Sequence, residues 1–236
     1  MGGRSYFSKV DLASVGIIGH GVEIWLIELS AFDFDPKWLD HRLSPNERKR
    51  ADKFLRPEDK RRFILSRAAV KEILVSYMTI ARPLDEDFSY GPYGKPYWGD
   101  IVFSLAHCAS MAILAVTNQV DCIGVDIELT TDHERDFAGI AKYFHPRERE
   151  LLEILDGQEL ATAFYHMWVR KEAIMKATGQ GLITGLDKVL VSEFSACHLG
   201  EIIDDHGLVS SRWWAPVLNV NDYLAAIALK VPLTLS

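Results

Sequence analysis

The sequence predicts an α+β protein, a pseudo-dimer of two related halves, each a small antiparallel sheet packed on a long helix. The main observation is that a strand, a proline-marked helix start and a long helix occur in the same order twice along the 236 residues. The pairs of corresponding positions are Glu28 and Glu128, Pro45 and Pro146, and Arg67 and Lys171. Such an internal duplication predicts one half over residues 1–118, a second over 119–236, and a monomer whose interface is internal.

The first half is expected to contain a strand, a helix start, a long helix and two paired strands, at residues 21–30, 44–47, 60–77, 101–105 and 111–117. The first strand is expected because its residues alternate and favour β structure. Ser44, Pro45 and Glu47 have the types and spacing of a capping box. A loop rich in turn residues, at 90–96, precedes the paired strands.

The same order returns in the second half as a strand, a helix start, a long helix and a final strand, at residues 123–129, 145–148, 164–178 and 222–230. Proline and glutamate recur at matching places of the helix start, and Gly179 is a natural end for the long helix.

Composition indicates a globular protein of a reducing compartment. Apolar residues make up 48% of the chain and aromatic residues 11%, which is too rich for a disordered protein. No run approaches the roughly 18–20 apolar residues of a membrane span. The three cysteines, Cys108, Cys122 and Cys197, have no CxxC spacing, so neither a disulfide framework nor a structural zinc site is expected. We therefore expect a cytoplasmic protein without membrane attachment.

The charge distribution is uneven, although the net charge is only −7. Between Arg48 and Lys71 there are ten basic and three acidic residues. One basic block in an acidic protein favours a local site for an anion, and a solvated helix face explains it equally well. No zinc finger or base-stacking motif supports nucleic acid as the partner.

The segment G-V-D-I-E at residues 124–128 places two carboxylates on one face of a strand. The apolar residues on either side of each carboxylate share the opposite face and can be buried. Asp126 and Glu128 would repel each other unless a cation lay between them, and Mg²⁺ prefers oxygen ligands. The polar outer face of an edge strand has the same pattern, so both interpretations stay open.

The segment W-V-R-K-E-A-I-M-K at residues 168–176 aligns Trp168, Glu172 and Lys176 along one helix face. A surface ion pair between Glu172 and Lys176 is one interpretation. The apolar neighbours favour another, in which the row is partly buried and its pKa values are shifted for acid–base work.

His107 follows the apolar run at residues 101–106, where a histidine has either a structural or a functional role. A cysteine nucleophile at Cys108 is not expected, because strand neighbours point to opposite faces. The common glycine-rich nucleotide cradles are missing from the sequence.

Together these motifs resemble the Sfp-type 4'-phosphopantetheinyl transferases, which carry G-(I/V)-D-(I/V)-E and, some 40 residues later, W-x-x-K-E-A-x-x-K followed by a glycine pair. Here the second motif precedes Gly179 and Gly181. The family's Gly-Lys-Pro loop is matched at residues 94–96, and its histidine strand at 104–108. The resemblance spans nearly the whole chain, and it implies transfer of the phosphopantetheine arm of coenzyme A to a serine of an apo acyl or peptidyl carrier protein, releasing 3',5'-ADP.

The resemblance also implies roles for individual residues. The implied metal ligands, for Mg²⁺ or Mn²⁺, are Asp126, Glu128 and Glu172. The implied catalytic residues are Glu172 as the base for the carrier serine, Lys176 at the leaving phosphate, and His107. The implied coenzyme A contacts are Lys95, His107, Arg50, Arg62 and Lys176.

This sequence departs from the family pattern at three places. Ala106 and Cys108 stand where relatives often have serine, so a hydroxyl contact to coenzyme A is expected to be absent. Glu47 stands where a basic phosphate contact is frequent. Two alternative functions are another Mg²⁺-dependent phosphoryl-transfer enzyme, active without a carrier protein, and a non-catalytic module that docks an acidic partner and tolerates loss of Glu172.

Overall fold

The computed structural model describes residues 7–10, 21–30, 41–80, 82–131, 136–191 and 198–233, so Cys197 lies outside the described residues. The helices are α1 (Pro45–Ala51), α2 (Pro57–Val75), α3 (Phe137–Ala141), α4 (Pro146–Leu152) and α5 (Gly157–Thr178), with a 3₁₀ turn at Gly181–Thr184. The strands of the first half are β1 (Phe7–Lys9), β2 (Val22–Glu28), β3 (Ser89–Tyr90), β4 (Pro96–Tyr97), β5 (Val102–Cys108) and β6 (Met111–Thr117). Those that follow are β7 (Ile123–Leu129), β8 (Val189–Val191), β9 (Leu199–Ile203), β10 (Val209–Trp214), β11 (Val217–Val220) and β12 (Tyr223–Val231).

The strands form two main antiparallel sheets and one short hairpin. The first sheet has the order β1-β2-β6-β5. In the second sheet β12 pairs with β7 along one edge, and with β11 and β10 along the other, and β9 and β8 continue beyond β10. The hairpin pairs β3 with β4. The prediction of a mixed protein with antiparallel sheets and long helices is confirmed.

Each sheet packs a long helix on one face and meets the other sheet on its opposite face. Ile27 and Leu114 of the first sheet lie in one cluster with Leu74 of α2. Helix α5 packs on the second sheet in a separate cluster. Between the sheets, Ile24 and Val125 belong to a third cluster, which joins the two halves. No helix within the described ranges is both long and apolar enough to cross a membrane.

Both predicted helix starts are confirmed as capping boxes. Ser44 accepts the backbone N–H of Glu47, whose side chain accepts the N–H of Ser44. At the start of α4, Nδ1 of His145 accepts the backbone N–H of Arg147, and the side chain of Glu148 accepts the backbone N–H of His145. Helix α5 ends where the sequence predicts, since Gly179 has the positive φ of 73° that L-residues rarely adopt.

The sequence alignment of Glu28 with Glu128 is wrong by one residue. Glu28 is exposed and accepts a hydrogen bond from Ser30, whereas Glu128 lies against α5. Because side chains alternate along a strand, a one-residue shift exchanges the two faces. An offset of 101 instead aligns the residues of β2 and β7 that face the other sheet, 22, 24 and 26 with 123, 125 and 127.

The pairing of Arg67 with Lys171 is also wrong. Lys171 is fully buried and forms an ion pair with Glu148 at 2.5 Å. The residue in the same environment in the first half is Lys71, which is fully buried and pairs with Glu47 at 2.6 Å. In each half, therefore, the glutamate of a capping box anchors a short helix to a lysine of the long helix.

Candidate active site

Helix α5 can lie directly on strand β7 because Gly124 has no side chain. A Cβ at this position would overlap the carbonyl oxygen of Ala173 and lie 2.5 Å from the backbone nitrogen of Ala177. The alternate residues of β7 that face α5, Asp126 and Glu128, are thereby enclosed between strand and helix.

Asp126 lies at the centre of this contact and is 5% exposed. Its Oδ1 pairs with the Nζ of Lys176 at 2.5 Å, whereas its Oδ2 is buried and has no hydrogen-bond partner among the described residues. Burial raises the pKa of Asp126 to about 7; Lys176 lowers it, and Glu128 and Glu172 raise it further. A buried carboxylate oxygen that lacks a partner is stabilised by a cation, so Asp126 can bind a second cation in addition to Lys176.

Glu172 lies one helical turn before Lys176 and is half-buried. Burial raises the pKa of its carboxyl, the Lys176 ammonium lowers it, and the Glu128 carboxylate raises it. Its carboxylate makes no hydrogen bond or ion pair within the part of the chain that the structure describes. The structure thus brings Asp126, Glu128, Glu172 and Lys176 together, as the sequence predicts.

The oxygen atoms of these three carboxylates suit a hard cation, although they are not already arranged around one metal-binding position. Within the described ranges, no three histidine, cysteine or acidic side chains are already grouped as metal ligands. However, the Glu128 carboxylate raises the pKa of both Asp126 and Glu172, and the buried Oδ2 of Asp126 has no partner among the described residues. Oxygen-only donors of this kind suit Mg²⁺ or Mn²⁺.

A cavity of about 520 Å³ is lined by three arginines and one carboxylate, Asp59, which pairs with Arg62 at 3.5 Å. Cys108 of its wall contacts Glu128. Arg50, Arg62 and Arg67 contribute guanidinium groups to its wall, together with the ring of Phe63. The carbon atoms that carry the guanidinium nitrogens of Arg50 and Arg67 lie 5.3 Å and 5.5 Å from the centre of that ring. The aromatic contact holds the two cations in place without neutralising them, which suits a polyanionic ligand.

His107, predicted as a catalytic and coenzyme A-binding residue, belongs to the larger cavity. It lines the cavity wall from β5. Desolvation lowers the pKa of its imidazole, and the positive charges of Lys176 and Arg67 lower it further. Because Lys176 and Arg67 both act on its imidazole, His107 is placed to contact a ligand that extends from one of these cations to the other.

Lys95, for which the resemblance implies a contact with coenzyme A, is hydrogen-bonded to the protein backbone. Its ammonium donates to the backbone carbonyl oxygens of Ile123 and Ala177, each at 3.2 Å. It therefore connects the loop before β4 to the start of β7 and to the end of α5. Lys95 also lines a smaller cavity of about 200 Å³ with Lys176, and this cavity shares Gly94, Pro96 and Leu105 with the larger one.

The sequence profile of the 4'-phosphopantetheinyl transferase superfamily matches residues 122–228. The 4'-phosphopantetheinyl transferase HetI of Nostoc is 35% identical over 173 residues, which are 70% of this chain and 72% of HetI. Sfp of Bacillus subtilis, with the same activity in its name, is 31% identical over 63% of this chain and 66% of its own length. A Synechocystis protein provisionally given that name is 33% identical over 64% of this chain and 63% of its length. The chain belongs to the 4'-phosphopantetheinyl transferase superfamily.

The prediction of the family from two motifs is therefore confirmed. The profile covers the part of the chain that carries Asp126, Glu128, Glu172 and Lys176. The residues predicted to contact coenzyme A, at positions 50, 62, 95 and 107, lie before the matched segment. Their roles stay predictions, which the cavity makes specific.

Sequence reasoning passed over Arg67 as a site residue. One guanidinium nitrogen of Arg67, Nη1, is buried without a hydrogen-bond partner among the described residues, and its side chain packs over both Phe63 and Phe88. Helical spacing could have indicated this position, because Arg67 follows Phe63 by four residues and therefore lies on the same face of the helix.

Two departures from the family pattern have structural explanations. Glu47, which stands where relatives often bind phosphate, is buried and belongs to the pair with Lys71. Ala106 is buried in the cluster between the sheets, so its side chain faces away from the cavity. Cys108, by contrast, lines the cavity and donates to Glu128.

Proposed function

We propose that this protein transfers the 4'-phosphopantetheine arm of coenzyme A to a serine of an apo acyl or peptidyl carrier protein, releasing 3',5'-ADP. The observation that carries the proposal is that the two cavities are adjacent and share the wall formed by Gly94, Pro96 and Leu105. The larger offers guanidinium groups for the nucleotide and its phosphates, and the smaller reaches Lys176 beside the buried Asp126. A single extended polyanion with a neutral arm suits this arrangement.

In this proposal the first half binds the donor. Arg50, Arg62 and Arg67 offset the charge of the 3'-phosphate and the pyrophosphate, and His107 contacts the phosphates from the wall of the larger cavity. The ammonium of Lys95 already donates to two backbone carbonyls, so we assign Lys95 to the wall of the smaller cavity.

Asp126, Glu128 and Glu172 would hold Mg²⁺ or Mn²⁺ together with the pyrophosphate. When bound, the ion offsets charge on the pyrophosphate oxygens during transfer. The support for this assignment is the buried, unpartnered Oδ2 of Asp126 and the proximity of two further carboxylates.

The chain's own groups account for the proton and the leaving group. Glu172, whose pKa is raised by burial, accepts the proton of the carrier serine hydroxyl. The serine oxygen forms a bond to the phosphorus that carries the pantetheine, and the bond from that phosphorus to the bridging oxygen breaks. The electron pair leaves with 3',5'-ADP, whose new charge is offset by the ammonium of Lys176.

We also propose that residues 1–118 and 119–236 are the two halves of a duplicated monomer. Support comes from the order of the strands. In the first sheet β6 lies between β2 and β5, and in the second sheet β12 lies in the corresponding way between β7 and β10. The two buried glutamate–lysine pairs, offset by 101 and 100 residues, support it independently. A cytoplasmic location, and the lack of nucleic-acid or membrane partners, stay predictions.

The test is intact-mass spectrometry of an apo carrier protein incubated with this protein, coenzyme A and Mg²⁺. We expect a mass gain of one phosphopantetheine, and loss of that gain with EDTA or in Glu172→Gln. The matched control is Glu159→Gln, which changes an exposed glutamate of the same helix and should keep full activity. Absence of a gain across acyl and peptidyl carriers, together with absence of coenzyme A binding, would refute the proposal.

A further inference from the structure

The Glu128 carboxylate accepts hydrogen bonds from donors of two different elements. Trp168 of α5 donates its indole N–H to Oε1 at 2.6 Å, and the Cys108 thiol of β5 donates to Oε2 at 3.5 Å. A neutral donor orients a carboxylate and leaves its negative charge available to a cation.

The indole of Trp168 is itself held in one orientation. Its ring is stacked on Phe144, with centres 6.2 Å apart and planes 12° apart. On Phe164 the same values are 6.0 Å and 9°. Three nearly parallel rings leave the indole little freedom to rotate, so its N–H has a fixed target.

We propose that Trp168 is a positioning residue that aims Glu128 at the metal. This inference rests on the proposed role of Glu128 as a ligand, and it adds a function for the first residue of the helix motif. A group that orients a metal-binding carboxylate contributes to affinity, and its removal typically weakens metal binding by about 10- to 100-fold.

The test measures Mn²⁺ binding to the metal-free full chain by electron paramagnetic resonance, without coenzyme A or carrier. Trp168→Phe keeps a ring for the stack and removes only the donor. We expect about 10- to 100-fold weaker binding in Trp168→Phe. The matched control is Trp213→Phe, which removes a buried indole N–H that donates to Ser211 at 2.9 Å, and it should bind Mn²⁺ as the unmodified protein does.

A double-mutant cycle separates this inference from the proposed ligand set. If Trp168 acts through Glu128, Trp168→Phe should weaken binding no further in a Glu128→Gln background. Weak binding in Glu128→Gln alone, with normal binding in Trp168→Phe, would overturn the positioning role and keep the ligand. Normal binding in Glu128→Gln would overturn both.

A spectroscopic measurement covers the case in which Trp168→Phe does not fold. In protein carrying isotope-labelled tryptophan, the indole N–H proton of Trp168 should resonate downfield because of its bond to a charged acceptor. Glu128→Ala should move that resonance upfield and leave the Trp213 resonance in place. An unmoved Trp168 resonance would contradict the proposal.

Discussion

Both halves of the molecule pack a long helix on one face of a sheet, but they fill the contact differently. With the strands aligned by the residues that face the other sheet, Trp25 and Ile27 of β2 correspond to Asp126 and Glu128 of β7. In the first half these positions are apolar and pack in the cluster with α2. In the second half they are carboxylates, one of them buried. The same arrangement of helix and sheet thus contains an apolar core in the first half and a candidate active site in the second.

This difference shows which features belong to the frame and which to the site. The frame is the capping-box glutamate paired with a buried lysine, which both halves retain. Carboxylates under a helix cost stability, because burial disfavours their charged form. Since the first half shows that apolar residues serve the same place, we infer that Asp126 and Glu128 are present for function.

The largest expected effect comes from breaking the frame in either half. Lys171→Met leaves the buried carboxylate of Glu148 without its partner, and Lys71→Met does the same to Glu47. Each variant should lose about 3–5 kcal/mol of the free energy of unfolding, because an uncompensated buried charge remains. Urea unfolding followed by circular dichroism measures both.

The control for the frame is Lys60→Met, which breaks an exposed pair with Asp52. It should cost less than about 1 kcal/mol, since water screens such a pair. The double variant Glu148→Gln/Lys171→Met should recover part of the loss. If Lys71→Met cost no more than Lys60→Met, the two halves would not share a frame.

The next effect distinguishes the site from the core through pH. Burial raises the pKa of Asp126 to about 7, from an ordinary value of 3.8, with Lys176, Glu128 and Glu172 as the charged groups around it. The unfolded chain therefore releases this proton at lower pH than the folded chain, and rising pH destabilises the fold. Without metal, Asp126→Asn should gain up to about 3 kcal/mol relative to the unmodified protein between pH 5 and pH 8.

Urea unfolding in EDTA at several pH values measures this difference. Asp121→Asn, at an exposed carboxylate just before β7, should show a constant difference over the same range. A constant difference for Asp126→Asn as well would mean that Asp126 stays ionised, and the contrast with Trp25 would lose its energetic meaning.

Much of the fold could be predicted from the sequence, because local patterns determine where its strands and helices begin and end. Alternation marked β2 and β7, the serine or histidine, proline and glutamate spacing marked both capping boxes, and Gly179 marked the end of α5. Strand and helix periodicity predicted that Asp126 shares a face with Glu128 and that Glu172 shares a face with Lys176. That the two pairs meet was implied only by the resemblance to the family.

What the sequence could not provide depends on contacts between distant segments. Nothing local indicates that Lys95 donates to carbonyls 28 and 82 residues away. Lys71 was counted within the basic block, whereas its ammonium is buried against Glu47. The face of β2 was misassigned by one residue, because an alignment of similar letters does not show which side meets the other sheet.

A smaller effect should separate donor binding in the first half from chemistry in the second. Arg67→Met removes a guanidinium with a buried, unpartnered nitrogen at the cavity wall. The KM for coenzyme A should rise about 10- to 100-fold, as expected for loss of a charged hydrogen bond, with little change in kcat. Arg61→Met, at an exposed position of the same helix, should leave both unchanged. A fall in kcat at constant KM would place Arg67 in the chemical step.

The smallest expected effect concerns which half receives the carrier protein. Lys49 and Lys53 are exposed cations beside the donor cavity, whereas the neighbouring Arg48 donates to the backbone carbonyl of Leu43. Lys49→Gln/Lys53→Gln should raise the KM for an acidic carrier a few-fold at low salt, and the effect should vanish at high salt because exposed charges are screened. The matched variant of the second half, Lys142→Gln/Lys230→Gln, should leave that KM unchanged. The opposite result would assign carrier docking to the half that holds the carboxylates, and the first half would then bind the donor alone.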